Sequence, residues 1–367
     1  MEIIVILILI GAAAAVEAML YTKTGGKNLS YTAKLERQEV FEGDSVALTE
    51  ELNNAKALPL PFVKSEIIAP SSIDFGVGAR SSKEDLCYIP SIFSLKGNER
   101  CTRTRRIKCT QRGAFEIGST SLYGGDLFGI GHFTLFTENR EKLTVLPSPL
   151  SAEDFYPNSK MLSGDIQVRR FICEDPFLIS GAHEYSGREP MNTVFWNGTA
   201  RAGRLMALNK DFTTCSKALI MLNFQKRDDI VAPDSNSVCE VLIKAAAFAI
   251  EECVKIKGEY ALAVNLPEST HNPPPAARTG EAYRLELLRR LARLRIDCDC
   301  TLFNFMKRLP LEEYTDLILI TPSLSQETAD FLNEKRKAGQ GVFVYSPKNN
   351  SDADFFVQIT RKGAVGI

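Results

Sequence analysis

LIMLNF at residues 219–224 and DLILIT at residues 316–321 decide the fold of the C-terminal half of this 367-residue chain. Neither stretch alternates apolar with polar side chains. Such a run suits a strand covered on both faces, as in a parallel sheet. Around these strands the periods change in turn. Residues 237–256 place apolar side chains at helical spacing, with Ser237 positioned to cap the helix. Residues 260–266 read as the next strand. Residues 281–294 read as an amphipathic helix, with Leu287, Leu291 and Leu294 on one stripe and Arg289, Arg290 and Arg293 largely off it. Residues 325–337 form a further helix ended by Gly339, and GVFVY at 341–345 a further strand. Alternation of this kind implies βαβ crossovers and a parallel sheet with helices on both faces. Such sheets bind ligands at the carboxyl ends of their strands. The loops at 223–229, 267–280 and 321–325 are therefore the places to look. The second contains Pro273-Pro274-Pro275, which stiffens it and removes backbone donors, as in an exposed surface loop offered to a partner.

Toward the N-terminus the period shortens. Residues 31–52 alternate around Glu42-Gly43-Asp44, the pattern of a hairpin. Alternation resumes at 62–68, after Pro59 and Pro61. Strands are expected at 103–107 and 114–117, separated by Gln111-Arg112-Gly113, and a short one at 144–146 before Pro147. Gly124-Gly125 and residues 129–131 read as turns. No helical period occurs over 31–146, and short strands at this spacing predict a β-sandwich-like domain over residues 30–150. GGDLFG at 124–129 is glycine-rich but lacks the Lys-Ser/Thr ending of a phosphate loop and opens no helix, so it reads as a turn.

MEIIVILILIGAAAAVEAML at residues 1–20 is long enough to cross a bilayer core. Its charges, Glu2 and Glu17, lie near its ends. A secretory signal would carry a basic leader, which is absent, so a cleaved signal is the weaker alternative, as is a buried core helix. Lys23 and Lys27 follow the apolar run, and basic flanks favour the cytoplasmic side. The expectation is a single-pass anchor over residues 1–22 in the cell membrane, a polar linker over 22–30 and a cytoplasmic body.

The formal net charge of -1 gives no bulk electrostatic reason to expect a nucleic-acid partner. The nine cysteines are scattered without any CxxC pair, as for reduced thiols in a reducing compartment. Cys298 and Cys300 flank Asp299 and would share a strand face, but a metal there needs two more ligands, and the chain has only His132, His183 and His271. Neither GxSxG nor HExxH occurs. The sequence thus predicts a non-enzymatic chain without a cofactor.

Residues 181–208 read GAHEYSGREPMNTVFWNGTARAGRLMAL. Glu184-Tyr185, Gly187-Arg188, Trp196, Thr199-Ala200-Arg201 and Leu205-Met206 resemble the signature of the domain of unknown function 58 family. Arg112-Gly113 and Asp126-Leu127-Phe128-Gly129 resemble its upstream region. The family usually has Gly-Asp and a further Arg where this chain has Arg188-Glu189-Pro190 and Asn192-Thr193. The resemblance implies a membrane-anchored bacterial protein whose C-terminal domain, residues 165–367 with the signature, is a doubly wound α/β domain of von Willebrand factor A type. It also implies an adaptor or scaffold working through protein–protein contact, with a MoxR-type AAA+ ATPase as the partner. Glu184, Tyr185, Arg188, Trp196, Arg201 and Arg204 are the candidate partner-binding residues, since Trp, Tyr and Arg dominate interface energetics. The competing reading is a packing collar, with Trp196 buried as an anchor and Arg201 and Arg204 paired with Glu184 or Glu189.

Many von Willebrand factor A domains bind a divalent cation through Asp-x-Ser-x-Ser after the first strand. The matching positions here are Asn223, Gln225 and Arg227. An amide replaces the carboxylate that a hard cation needs most, and a cation replaces the last hydroxyl. The later strand ends in Thr321-Pro322 without an Asp, while Asp228 and Asp229 stand nearby. The metal site is therefore expected to be degenerate. The alternative function is a metal-dependent adhesion-type module facing outside the cell. A hydrolase built on Asp228, Asp229 and His183 is the third reading.

Overall fold

The computed structural model describes residues 2–76, 80–81, 86–151, 172–185, 194–214, 217–227, 230–267, 276–347 and 356–358. The chain divides into two compact units, Met1–Ser148 with Leu288–Leu294, and Pro149–Leu287 with Arg295–Ile367.

The first unit opens with α1 (Glu2–Thr24). Its span Ile3–Thr24 is long and apolar enough to cross a membrane. Side chains from Ile3 to Ile10 are at least half exposed, so no protein core covers that part of the helix. The last turns differ. Ala18 and Tyr21 are buried, and the Tyr21 hydroxyl donates to the Pro59 carbonyl at 2.7 Å. Lys56 Nζ donates to the carbonyls of Gly25 (2.8 Å) and Lys27 (3.0 Å), satisfying acceptors just past the helix end. The next strand starts at Leu29. The linker expected over 22–30 is corrected: three of its residues, Thr22 to Thr24, complete the helix, and the following turn is pinned by Lys56.

The strands that follow are β1 (Leu29–Leu35), β2 (Glu39–Phe41), β3 (Ser45–Asn54), β4 (Leu60–Pro70), β5 (Ile73–Asp74), β6 (Arg80–Ser81), β7 (Leu86–Leu95), β8 (Arg100–Cys109), β9 (Gly113–Gly125) and β10 (His132–Leu146). They form a four-stranded sheet, β1-β3-β8-β5, and a six-stranded sheet, β2-β10-β9-β4-β7-β6. Strand periodicity turns alternate residues inward. Leu48, Leu52, Leu60, Val63, Ile67, Ile107, Ile117 and Leu122 have no measurable exposure.

Three sequence expectations change here. The hairpin around Glu42-Gly43-Asp44 is not made. β1 pairs antiparallel with β3, while β2 leaves for the other sheet and runs parallel to β10. Alternation specifies which face a residue takes, and both sheets offer that face. The strands flanking Gln111-Arg112-Gly113 likewise enter different sheets. Gly124 and Gly125 are not a turn but the end of β9. A Cβ on Gly124 or on Gly25 would overlap the Phe133 ring, so these glycines form the slot that seats it. The segment at 144–146 is the end of the longer β10.

A buried charge lies inside this unit. Glu50, with no measurable exposure, accepts hydrogen bonds from Tyr31 Oη (2.9 Å), Ser65 Oγ (3.1 Å) and Ser91 Oγ (2.8 Å). Arg105 Nε stands 3.6 Å from the carboxylate, and its Nη2 donates to Ser91 Oγ at 2.8 Å. Burial and the facing carboxylate push the Tyr31 phenol up, keeping it a donor. Because Tyr31, Glu50 and Arg105 belong to one sheet and Ser65 and Ser91 to the other, the network ties the sheets together.

The second unit contains β11 (Ile172–Glu184), α2 (Trp196–Ala202), β12 (Met206–Thr214), β13 (Lys217–Leu222), β14 (Gln225–Arg227), β15 (Ile230–Pro233), α3 (Asn236–Ile256) and β16 (Glu259–Val264). After these come α4 (Glu281–Arg293), whose residues from Leu288 are counted with the first unit, α5 (Leu302–Lys307), a 3-10 turn (Leu311–Glu313), β17 (Asp316–Ile320), α6 (Gln326–Lys337), β18 (Gly341–Ser346) and β19 (Phe356–Gln358). The sheet β16-β13-β17-β18-β19 is parallel throughout, as the alternation predicts. Counted in chain order it reads 2-1-3-4-5, a doubly wound order that reverses between β13 and β17. Leu219 and Met221 pack in one cluster with Leu302, Phe305 and Met306 of α5 and Leu332 of α6. Ile220 and Leu222, which alternate with them, are equally buried, so both faces of β13 are covered.

Ser235, not Ser237, occupies the cap position of α3, and its side chain makes no capping bond. Ser325 caps α6 by accepting from Thr328 N at 3.3 Å, and Gly339 follows with φ +98°. The sequence missed α5, whose six residues are too few to display a period.

Candidate functional site

The reversal point of the parallel sheet is where a ligand would bind. Asn223, Asn265 and Thr321 each follow the last residue of a strand, and their amides extend the ladder: Asn223 N donates to Ile320 O, Asn265 N to Leu222 O and Thr321 N to Tyr345 O. All three are buried, as is Gln225. Their side chains satisfy one another. Asn223 Oδ1 accepts from Asn265 Nδ2 (2.9 Å) and lies 3.4 Å from Gln225 N, while Asn223 Nδ2 donates to Thr321 Oγ1 at 3.1 Å. Asn265 Nδ2 also donates to the Cys300 carbonyl at 2.8 Å, and Gln225 Oε1 accepts from Leu302 N at 2.8 Å. Thr321 Oγ1 donates to Ser323 O at 2.8 Å.

This donor set does not fit a hard cation. The amide oxygens of Asn223 and Gln225 point into the protein's own hydrogen bonds, and no carboxylate joins them among the described residues. Arg227, the third motif position, is exposed on β14. Asp228 and Asp229 lie outside the described residues, as does Pro273-Pro274-Pro275. Cys298 and Cys300 are buried, and burial pushes the Cys298 thiol up to about 12. Cys300 Sγ donates to Asn265 Oδ1 at 3.5 Å. Burial pushes both thiols up, so a metal there would have to displace their protons against that shift. Among the described residues no group of three or more His, Cys, Asp or Glu could hold a metal ion.

The signature segment is a second candidate, and it has a different character. β11 and β12 pair antiparallel from Glu184↔Met206 onward, with α2 between them. Backbone bonds from Tyr185 N to Leu205 O and from Phe195 N to Met206 O, both 2.8 Å, close the loop, and Val194 bridges Ala207. Thr199 acts twice: its Oγ1 accepts from Met206 N at 3.0 Å, and its carbonyl accepts from Gly203 N at 3.0 Å. Gly203 ends the helix at φ +66°, as glycine does most easily. Gly198 leaves room for the Phe195 ring, which a Cβ would overlap.

On this fixed backbone the larger side chains point outward. Trp196 is 65% exposed, which corrects the reading of a buried packing anchor. Arg201 and Arg204 are exposed, and no residue of α2 is buried. Arg204 Nη1 pairs with Glu184 Oε2 at 3.1 Å, both side chains 63% exposed. Such a surface pair contributes only about 0–1 kcal/mol. Tyr185 is half-buried beside this pair. Arg188 and Glu189 lie outside the described residues.

No family model and no curated protein matches the chain. Among solved structures, a CARDB domain from Pyrococcus furiosus, determined with di-metal ions, is 16% identical, covers 32% of this chain and 91% of its own, and has a TM-score of 0.22. A cohesin module from the Clostridium perfringens family 33 glycoside hydrolase is 11% identical over 33% of this chain and 98% of its own, with a TM-score of 0.26. A non-cellulosomal cohesin from Archaeoglobus fulgidus is 10% identical over 36% of this chain and 99% of its own, with a TM-score of 0.23.

Proposed function

We propose that this chain is a membrane-anchored, non-enzymatic adaptor whose signature segment docks a protein partner at the cytoplasmic face, the partner being a MoxR-type AAA+ ATPase. The observation that carries this reading is the exposure of Trp196, 65%, on a helix whose ends are fixed by backbone bonds. An exposed tryptophan on a helix that also carries exposed Arg201, with exposed Arg204 just past its end, has the composition of an interface hot spot. Exposure of this size is also hard to reconcile with a role in packing. The amide network at the strand ends supports a non-enzymatic reading, because its polar atoms are bonded to each other. It also disfavours the metal-dependent adhesion alternative. The resemblance to the domain of unknown function 58 family supports the von Willebrand factor A type of the parallel-sheet unit and the choice of partner. Lys23 and Lys27 support the cytoplasmic side.

The test is capture of a MoxR-type ATPase by the tagged full chain extracted in detergent, compared with Trp196→Ala and Arg201→Ala. A hot-spot truncation costs about 2 kcal/mol or more, roughly thirtyfold in affinity. Surface truncation leaves stability within about 0.5 kcal/mol. Strong loss of capture with unchanged melting is the expected result. Equal capture by all three proteins, or none by the wild type, overturns the docking assignment.

A further inference from the structure

We propose a second membrane contact: the turn between β9 and β10 dips Leu127, Phe128 and Ile130 into the interfacial layer of the bilayer that α1 enters. This rests on the anchoring reading above. The three side chains are 72%, 61% and 59% exposed. Turns normally carry small and polar residues, so three large apolar tips in one turn need an environment other than water.

The turn is built rather than slack. Asp126, 5% exposed, accepts from Ile130 N at 2.9 Å and Gly131 N at 2.8 Å, and its own N–H donates to Gly131 O at 3.0 Å. Gly129 takes φ +72°, which the reversal requires. The carboxylate thus sits inside, consuming backbone donors, while the apolar tips point out. With Ile130 N and Gly131 N satisfied by Asp126, the turn carries fewer unmet donors into the hydrated interfacial layer.

The occupant follows from position. Gly131 packs on the α1 backbone at Ala18, where a Cβ would collide with the Ala18 carbonyl. Leu127 lines an open groove with Leu9, Ala13, Val16 and Leu20 of α1. At 1.5 Å per residue, Ala18 lies about 23 Å along the axis from Ile3. A hydrocarbon core is about 30 Å thick. The turn therefore stands beside the apolar length of the helix, near one boundary of the bilayer, and its exposed surface is continuous with that of the helix. Lipid that covers Val16 and Leu20 also covers Leu127.

Trp196 is the only tryptophan, so depth can be read by fluorescence. The full chain carrying Trp196→Phe with Phe128→Trp is reconstituted in phosphatidylcholine–phosphatidylglycerol vesicles. A companion carries Trp196→Phe with Leu7→Trp, and the wild type reports Trp196 itself. The expected result is blue-shifted emission from position 128, quenching by lipids brominated near the headgroup end of the chain, and iodide quenching several-fold below that of Trp196. Position 7 is expected to respond to lipids brominated deeper. If position 7 is lipid-quenched but position 128 is quenched by iodide as strongly as Trp196, the turn proposal falls and the anchor stands. If position 7 is also open to iodide, the anchor falls and the turn contact with it.

Discussion

Each unit buries a polar network, and the two are built from opposite materials. The sandwich holds a full carboxylate, Glu50, under three hydroxyl donors and Arg105. The parallel-sheet unit holds carboxamides and a hydroxyl, Asn223, Gln225, Asn265 and Thr321, at the place where such folds usually keep ligand chemistry. Charge is kept where it joins two sheets and, among the described residues, is absent from the network at the strand ends. A buried charge is stable only when fully paired, so the first network is an all-or-none brace. The second is neutral in every member and tolerates the interior at lower cost.

The contrast can be broken most forcefully at Glu50. Glu50→Ala leaves Arg105 and three donors without their acceptor and should remove about 3–5 kcal/mol from the unfolding of the first unit in urea. Glu50→Gln, which keeps an acceptor oxygen, should cost less. Near-equal stability of Glu50→Ala and wild type would mean that the brace is decorative.

A smaller effect is expected from Asn223→Asp, which places a charge in the neutral network. Loss of the bond to Thr321 and burial of a carboxylate should cost the second unit about 1–3 kcal/mol at neutral pH. The deficit should shrink in acid, because burial favours the protonated form. In the wild type, millimolar Mg²⁺ or Ca²⁺ should leave the second thermal transition in place. An upward shift would show that a cation finds ligands there.

The mildest difference is in alkali. Burial pushes Cys239, Cys253 and Cys298 in the second unit up to about 12, and Cys109 in the first up to about 11, from an ordinary value of 9.0. With the folded value raised, the stabilising contribution is complete below pH 9 and is lost as pH climbs from there toward 12. The second unit, with three such thiols, should therefore soften before the first when unfolding is followed by circular dichroism from pH 8 to pH 11.

Legibility followed the range of the physics. The parallel strands were readable because burial on both faces leaves continuous runs such as LIMLNF and DLILIT. The inward faces of the sandwich were readable from alternation, whereas the pairing was not. Residues 39–41 satisfy the same rule in either sheet, and only the tertiary structure sends β2 to β10. Glu50 was invisible because a carboxylate in an alternating strand looks the same facing in or out. At the signature, the residue types of Glu184, Trp196, Arg201 and Arg204 were visible. The positioning by Gly198, Thr199 and Gly203 emerged only with the backbone. The apolar turn was in view as Asp126-Leu127-Phe128-Gly129, but its neighbourhood with α1 depends on packing between segments more than a hundred residues apart in sequence.

The seam between α1 and the sandwich has a mechanical consequence. Tyr21, Lys56 and the glycine slot for Phe133 join the end of the helix to the sheets at three points. A body on a loose tether samples a wide cone of orientations and must surrender that freedom on meeting a partner. A body joined to its helix like a blade to a handle has given up most of it beforehand, which would lower the ordering cost of the association proposed above. Under the proposed anchoring, the same contacts make the bilayer a control surface: a change in thickness that tilts α1 would carry the sandwich with it.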